Sequence, residues 1–564
     1  MVKNDYYRQY SGKRFFGDYP TLQEALGISV SRYPDRVLFA TTGKSARTLT
    51  FSEVARLVER IGSWLIEKGI RPGDKVALNG HNSIQWALLY ISASYAGAVV
   101  VPFDNQMEPE KLQRLLAFSE AKMFFADSDV LQRTDTADLP VFALEQVETL
   151  TPEKIRKRVR ITSSDPLSML FTSGTTGSEK AVVLTHRNII SDAFMACDSA
   201  YLDLQPEDVI FALLPLHHAY CCTTVLIEAV LNGSVCLFGQ GMTPAKILSD
   251  LRSGHVTFML AIPLIYNKFL STALKKVREK GRWTYALTRT MMWVNGVSRK
   301  LFGINHGKVW FRPILEGLGM MDLKCAICGA GPLAAKTFRA YQQLGVDFIQ
   351  GYGMTETAPV LTLNPVSNFK VRSVGRFFDD VRYRIERPDI MGIGEVVVKG
   401  PNCCEGYFKD SASTQDLFTE DGYLRTGDIG RVDRDGYLYL MGRAKNIIVT
   451  EGGKNVYPEE IEDHFQLYPQ IAQVMVRGFM QNRSTKSEGI EALIYPAPEF
   501  SAGLSAEKRD EEIGNIVSSV NAKLPSYKKI SSVTVLDQPM STTTTRKIQR
   551  GKVGDVIGSF IRIL

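Results

Sequence analysis

Between about Thr50 and Gly353, short apolar runs alternate with stretches whose apolar residues recur every three or four positions. The runs "KVALNG", "AVVVPFD", "MFFAD", "VIFALLP", "SVCLFG", "VTFMLAIP", "LKCAICGAG" and "VDFIQGYG" read as buried strands and the stretches between them as helices. Parallel strands require crossovers long enough to hold a helix, so this alternation predicts an α/β body of doubly wound sheets covered on both faces. After Asp379 the runs shorten and Gly, Asp and Asn separate them, as in "VRYRIE", "GEVVVKG", "GYLRTGD" and "DRDGYLYLMGR". A small antiparallel, barrel-like subdomain is expected over about 379–444. Beyond Lys445 the helix "YPEEIEDHFQ", the strands "AQVMVRG" and "IEALIYPA", a helix within "SAEKRDEEIGNIVSSVNAKL" and the strand "SVTVL" predict a small α+β domain. The expected units are 1–444 and 445–564, and no internal repeat is evident.

Composition narrows the class. With 564 residues, 45% hydrophobic and 23% charged, the chain reads as a folded protein too long for a single core. The start, "MVKNDYYRQYSGKRFF", offers no apolar core followed by a small-residue cleavage site, so a cytoplasmic location is expected. The uncharged run Trp86 to Phe103 is just long enough to raise a membrane span. Its Ser92, Ser94 and Gly97 and its β-branched second half read instead as a buried helix that breaks at Gly97 into a strand. Eight cysteines include the "CAIC" of Cys325 to Cys328, but no second CxxC completes a zinc site, and buried reduced thiols in strands are expected.

Charge is uneven. From Leu274 to Pro313 ten cationic side chains, among them Arg282, Arg289, Arg299, Lys300, Lys308 and Arg312, face the single acid Glu279, a net +9 that exceeds the +7 of the whole chain. Trp283, Trp293 and Trp310 lie in the same stretch. Basic residues with interfacial aromatics on a helical segment suggest an anionic membrane surface as partner and peripheral association; the alternative is a solvated face whose aromatics plug the core. No recognition module accompanies the charge, so nucleic acid is not an expected partner.

The candidate chemistry centres on "TSGTTGSEK", Thr172 to Lys180, whose composition suits neither a buried strand nor a stable helix. The phosphate-wrapping pattern GxxxxGK[ST] fails here, because counting from Gly174 the second glycine is Glu179 and Ala181 stands where a hydroxyl should meet magnesium. Main-chain N–H groups and the hydroxyls of Thr172, Ser173, Thr175 and Thr176 can still hold phosphate. Further along come "GAGPL" (Gly329 to Leu333), "QGYGMTET" (Gln350 to Thr357), "YLRTGD" (Tyr423 to Asp428) and "GRAKNIIVTEGGKNVYPEEIE" (Gly442 to Glu462). In this order they resemble the adenylate-forming superfamily of acyl-CoA synthetases, peptide-synthetase adenylation domains and luciferases. The likeness runs from "LTFSEVARLVERIGSWLIEKGIRPGDKVAL" to "RKIQR".

The resemblance implies ATP, Mg2+ and CoA as cofactors and cosubstrate, and a C-terminal domain that moves as a lid. Thr172, Ser173, Gly174, Thr175, Thr176, Gly177 and Lys180 would close over the β- and γ-phosphates. Gly329, Ala330, Gly331 and Pro332 would border the adenine. Within Gln350, Gly351, Tyr352, Gly353 and Met354, Tyr352 would stack on it. Thr355 would touch the α-phosphate, Glu356 with Thr175 would hold magnesium, and Asp428 would bind both ribose hydroxyls. Arg443 would add ribose or phosphate contacts, Lys445 matches the hinge, and His218 of "PLHHAY" would border the acyl pocket, leaving His217 structural. Physical chemistry agrees with the main roles: magnesium shared with a triphosphate prefers one or two carboxylates, and a diol is well read by two carboxylate oxygens.

A carboxylate attacks a polyanionic phosphate poorly unless a cation lies between them. The family's C-terminal lysine, in a pattern like "PKTxSGKIxR", matches Lys547 in "PMSTTTTRKIQR", with Lys528 and Lys529 of "SYKK" as alternatives. Arg546 replaces the glycine before that lysine, and "SEK" with Ala181 replaces the more usual "xPKG", putting Glu179 near the triphosphate unless it points away. The basic, tryptophan-bearing insertion resembles that of long-chain fatty acyl-CoA synthetases. The expected activity is thus AMP-forming ligation of a long-chain fatty acid to CoA. The alternatives are acyl transfer to an acyl carrier protein or a weakly active lipid-binding relative.

Overall fold

A computed structural model of the chain describes residues 19–136, 139–173, 179–197, 201–450, 454–482, 487–542, 548–553 and 558–562. Among these, nine strands form one sheet in the order Arg376–Phe377, Val360–Leu363, Asp347–Gly353, Cys325–Cys328, Phe258–Ala261, Val209–Phe211, Val235–Phe238, Val37–Thr41, Thr48–Thr50. The six strands from Asp347–Gly353 to Val37–Thr41 run parallel, and antiparallel strands close both edges. A second sheet of six has the order Val141–Ala143, Ala121–Ala126, Lys75–Asn79, Val99–Phe103, Pro166–Ser173, Glu179–Thr185, with only the last strand antiparallel.

Alternate residues of these strands enter different cores, as a sheet covered on both faces requires. Cys236 and Phe238 join the large core between the sheets, whereas Leu237 joins the opposite one with Met259, Tyr266 and Phe348. Val76 and Leu78 point into the same large core while Ala77 points outward to Val99, Val101 and Leu112. The run from Trp86 to Phe103 breaks as expected: helix Ile84–Tyr95 is buried, Gly97 turns in the left-handed region at φ 70°, and Val99–Phe103 is a central strand. No helix among the described residues is long and apolar enough to cross a membrane.

The doubly wound rhythm is wider than the sequence pattern suggests. Val37–Thr41 enters the sheet before Thr50, and Val360–Leu363 and Arg376–Phe377 extend it past Gly353 as antiparallel edge strands. The short-strand region is a four-stranded antiparallel sheet of Arg382–Glu386, Gly394–Lys399, Leu424–Val432 and Leu438–Arg443. Beyond it, Ile471–Asn482, Ser487–Pro496, Ser532–Leu536 and Gly558–Arg562 form a further sheet whose apolar face packs with helix Ala506–Asn521 in a core of its own. The helix read in "YPEEIEDHFQ" spans only Pro458–Glu462. All eight cysteines are free, and those of "CAIC" are buried strand residues. Cys236 is likewise a buried strand residue, but the strand reading fails elsewhere: Cys197 ends a helix, Cys221 and Cys222 sit on helical turns, and Cys403 and Cys404 lie outside any strand, with Cys197 and Cys403 only half-buried. Among the described residues no His, Cys, Asp and Glu side chains cluster as metal ligands.

Candidate active site

In open α/β sheets ligands bind beyond the carboxyl ends of parallel strands. Three expected motifs lie there. "GAGPL" follows Cys325–Cys328, "QGYG" ends Asp347–Gly353, and "PLHHAY" follows Val209–Phe211. The glycine that ends the second motif is sterically required, since a Cβ on Gly353 would come within 1.7 Å of the Pro359 carbonyl oxygen. Ala330, inside "GAGPL", takes the left-handed conformation at φ 63°. Gly329 faces Tyr220, whose ring would lie 2.8 Å from an added Cβ.

"TSGTTGSEK" is not a loop throughout. Thr172 pairs with Lys180 and Ser173 with Glu179 in an antiparallel ladder, because both flanks continue the apolar alternation of their strands. Gly174, Thr175, Thr176 and Gly177 lie outside the described residues. Glu179 is paired with two cations: Lys111 Nζ lies 2.5 Å and Arg114 Nη2 3.1 Å from its carboxylate. Burial alone would raise this carboxyl, but the Lys111 hydrogen bond and both charges hold it below its usual value. The extra negative charge is therefore compensated within the fold.

The segment Gly406–Phe408 runs beside strand Glu179–Thr185, with Val183 N donating to Gly406 O and Phe408 N to Ala181 O. This pairing delivers Tyr407, a residue the sequence reading missed. Its hydroxyl donates to Glu356 Oε1 at 2.9 Å, and the Lys180 ammonium sits 4.7 Å from its ring centroid. Burial, reinforced by the Glu356 charge, raises the Tyr407 pKa, so the phenol keeps its proton and remains a donor. Glu356 is buried on the short turn Thr355–Thr357, with Thr355 half-buried beside it. Its carboxylate, fixed through one oxygen, is the hard donor that suits magnesium shared with phosphates. Replacing Tyr407 with Phe should raise the Mg2+ and ATP concentrations needed for half-maximal rate by roughly tenfold, the cost of losing one hydrogen bond to a charged group. A titration of initial rate against magnesium at fixed ATP reads this, and an unchanged midpoint contradicts it.

A second cluster stands on the four-stranded sheet. Tyr352 Oη donates to Asp428 Oδ2 at 2.6 Å, and Arg443 Nε lies 2.7 Å from Asp428 Oδ1. The register sets this up, since Asp428 is directly opposite Arg443 across the ladder. Thr426 Oγ1 accepts from the Asp428 N–H, and Arg443 Nη1 donates to Thr426 O. Each Asp428 oxygen keeps a second lone pair, so the carboxylate can still accept from a vicinal diol. Burial and then the Asp428 charge push the Tyr352 phenol well above its ordinary pKa, keeping it a donor.

Beyond Val209–Phe211, the His217 and His218 rings are 4.2 Å apart, and His217 Nε2 is 4.0 Å from Asp104 Oδ1. Burial lowers the pKa of both imidazoles, so each is neutral at ordinary pH. His217 is the more buried and His218 the half-exposed one. The C-terminal region touches the end of "GAGPL" and the residue after it through Gln466, which donates to Pro332 O at 3.0 Å and accepts from Ala334 N at 2.9 Å. Lys445, on the turn Ala444–Asn446, has its pKa lowered by desolvation and then by the Arg443 and Arg550 charges. Lys547 and Arg546 lie outside the described residues. Ser541 and Thr542 pair with Gln549 and Ile548 on either side of them, and Arg550 anchors that end through Glu462 and the Val476 carbonyl. Lys528 is held in an ion pair with Glu460.

The profile of the AMP-binding enzyme family matches residues 27–408, and that of the AMP-binding enzyme C-terminal domain matches 445–558. The chain belongs to this family of adenylate-forming enzymes. It is similar to the long-chain-fatty-acid–CoA ligase FadD15 of Mycobacterium bovis, 28% identical over 79% of this chain and 78% of the relative. It is equally similar to a feruloyl-CoA synthase of an Amycolatopsis species, 28% identical over 90% of this chain and 93% of the relative. The fold matches the o-succinylbenzoate CoA synthetase of Bacillus subtilis in complex with ATP and magnesium ion, with a TM-score of 0.73 at 20% identity, covering 94% of this chain and 98% of that one. Ligases of this family use ATP, Mg2+ and CoA. Acid–CoA ligation through an acyl-adenylate is the activity that this membership supports.

Proposed function

We propose that this protein joins a long-chain fatty acid to CoA by way of acyl-AMP. The observation that carries the nucleotide assignment is the Asp428 carboxylate, buried yet held by Tyr352 and Arg443 in an orientation that leaves lone pairs for a ribose diol. About the adenine, the loop Gly329 to Pro332 and the backbone of Gln350 to Met354 form the walls, and Tyr352 supplies a ring face. Lys180 and the hydroxyl-rich segment Thr172 to Gly177 receive the distal phosphates. Glu356, with Thr175, would hold magnesium, which when bound offsets triphosphate charge.

In the first half-reaction a carboxylate oxygen attacks the α-phosphorus, and the bond to the bridging oxygen of pyrophosphate breaks. Thr355 donates toward the α-phosphate, and Lys547 offsets the repulsion between nucleophile and phosphate. In the second, the CoA thiolate attacks the acyl carbonyl and AMP leaves. The units 1–444 and 445–564 turn about Lys445 between the two, and "EGGKNVYP" guides the pantetheine arm. Neutral His218 borders the acyl group without placing a charge beside it.

The fatty-acid assignment is supported by the FadD15 relative and by the exposed aromatic insertion at 282–310. An aromatic acid is the second reading, favoured by the feruloyl-CoA synthase relative over 90% of the chain. ATP–pyrophosphate exchange across acids of graded length decides between them: rates should rise toward long saturated acids, and a preference for ferulate or acetate overturns the assignment. Trapping the product with CoA or with an acyl carrier protein identifies the acceptor.

A further inference from the structure

Nine of the 21 exposed large hydrophobic side chains among the described residues fall between Trp283 and Trp310. Most stand on helix Arg282–Phe302, which begins after Gly281 and ends at Gly303 in the left-handed conformation. Helical periodicity places Trp283, Leu287, Val294 and Leu301 in one line, and the structure turns that line outward, with exposures of 89%, 62%, 39% and 66%. The core-facing side carries Met292 and Asn295, which are buried, and Arg299, which donates to Gln342 O and pairs with Asp347. The apolar stripe of this amphipathic helix is thus its solvent face. Trp293, Phe302 and Trp310 frame an open apolar recess of about 290 Å³ beside it.

The cations sort by position. Arg299 and Lys308 are turned to the protein, Lys308 donating to Leu323 O at 2.9 Å, and so do not contribute to the exposed charge of this segment. Arg282, Arg289 and Lys300 are exposed along a second line that flanks the stripe, with Trp293 among them. Lys275, Lys276 and Lys280 are exposed at the end of the preceding helix, Pro263–Glu279.

From this we infer that helix Arg282–Phe302 with the adjoining segment to Trp310 is a docking surface for an anionic lipid bilayer. Trp283, Leu287, Val294 and Leu301 enter the headgroup–acyl boundary, and the flanking cations lie at phosphate level. An apolar stripe alone could receive a second copy or a protein. Cations in register along its flank, with tryptophans at the boundary, match the layered chemistry of a lipid interface. This inference goes beyond the ligase reading and does not depend on it, because it is tested by binding alone.

The test is flotation of the full chain with phosphatidylcholine vesicles carrying about 30 mol% phosphatidylglycerol, against pure phosphatidylcholine. Binding should be at least about tenfold greater to the anionic vesicles and should fall as salt shortens the screening length. Two variants separate the contributions. Trp283→Ser with Leu301→Ser should abolish binding at any salt, whereas Arg282→Ala, Arg289→Ala and Lys300→Ala together should remove only the preference for anionic lipid. All these side chains are exposed, and unchanged melting temperatures verify that the variants fold. Equal binding of wild type and variants, or none by wild type, overturns the inference. So does concentration-dependent dimerisation without lipid that the Trp283→Ser, Leu301→Ser variant removes, since the face then belongs to a second copy.

Discussion

Alanine at Lys547 is expected to slow acyl-adenylate formation by about 10²- to 10³-fold, the usual loss when one preorganised donor to a developing oxyanion is removed. Thioester formation from supplied acyl-AMP and CoA should stay near the wild-type rate, because no phosphate–carboxylate repulsion remains in that half-reaction. Pyrophosphate exchange reads the first step and thiol consumption with synthetic acyl-AMP the second. Equal loss in both would falsify the role. Lys528→Ala supplies the control. Its ammonium is engaged by Glu460, so its removal should leave adenylation nearly unaltered. A large loss there with a small one at Lys547 would move the role to "SYKK".

The reach of sequence reasoning follows the range of the interactions involved. Parallel strands buried on both faces appear as continuous apolar runs, so Lys75–Asn79, Val99–Phe103 and Cys325–Cys328 could be read directly. Val37–Thr41 buries only Leu38 and Phe39, and so short an apolar run after a polar approach does not stand out in the sequence. Glycine-rich motifs were legible because close backbone approach leaves few residues to choose from, as the Gly353–Pro359 contact shows. Tyr407 was not, since its tie to Glu356 spans 51 residues and arises only when Gly406–Phe408 pairs beside Glu179–Thr185. The charge of Glu179 looks unbalanced in the sequence because its compensating cations, Lys111 and Arg114, are some 65 residues upstream. Charge counting over 274–313 likewise cannot tell Arg299, bound inward at Asp347, from Lys300, its exposed neighbour.

Asp428→Asn should impair both half-reactions, which distinguishes it from Lys547→Ala. The adenosine moiety is common to ATP and acyl-AMP, so its anchor is used twice. The amide keeps the shape and one acceptor but removes the charge that faces Arg443 at 2.7 Å and the second oxygen that accepts from Tyr352 at 2.6 Å. Loss of a charge-assisted hydrogen bond costs about 1.5–3 kcal/mol, and a guanidinium left without its carboxylate in a half-buried setting adds modestly to it. Affinity for ATP and for acyl-AMP should therefore each fall by roughly 10²-fold, with the acid and CoA constants little altered. Adding Tyr352→Phe to the Asp428 variant should cost much less than the same change costs in the wild type, because both act on one carboxylate. Additive losses would show that Tyr352 contacts nucleotide without Asp428. An intact ATP affinity in Asp428→Asn would place the ribose elsewhere and remove the nucleotide assignment on which the ligase reading stands.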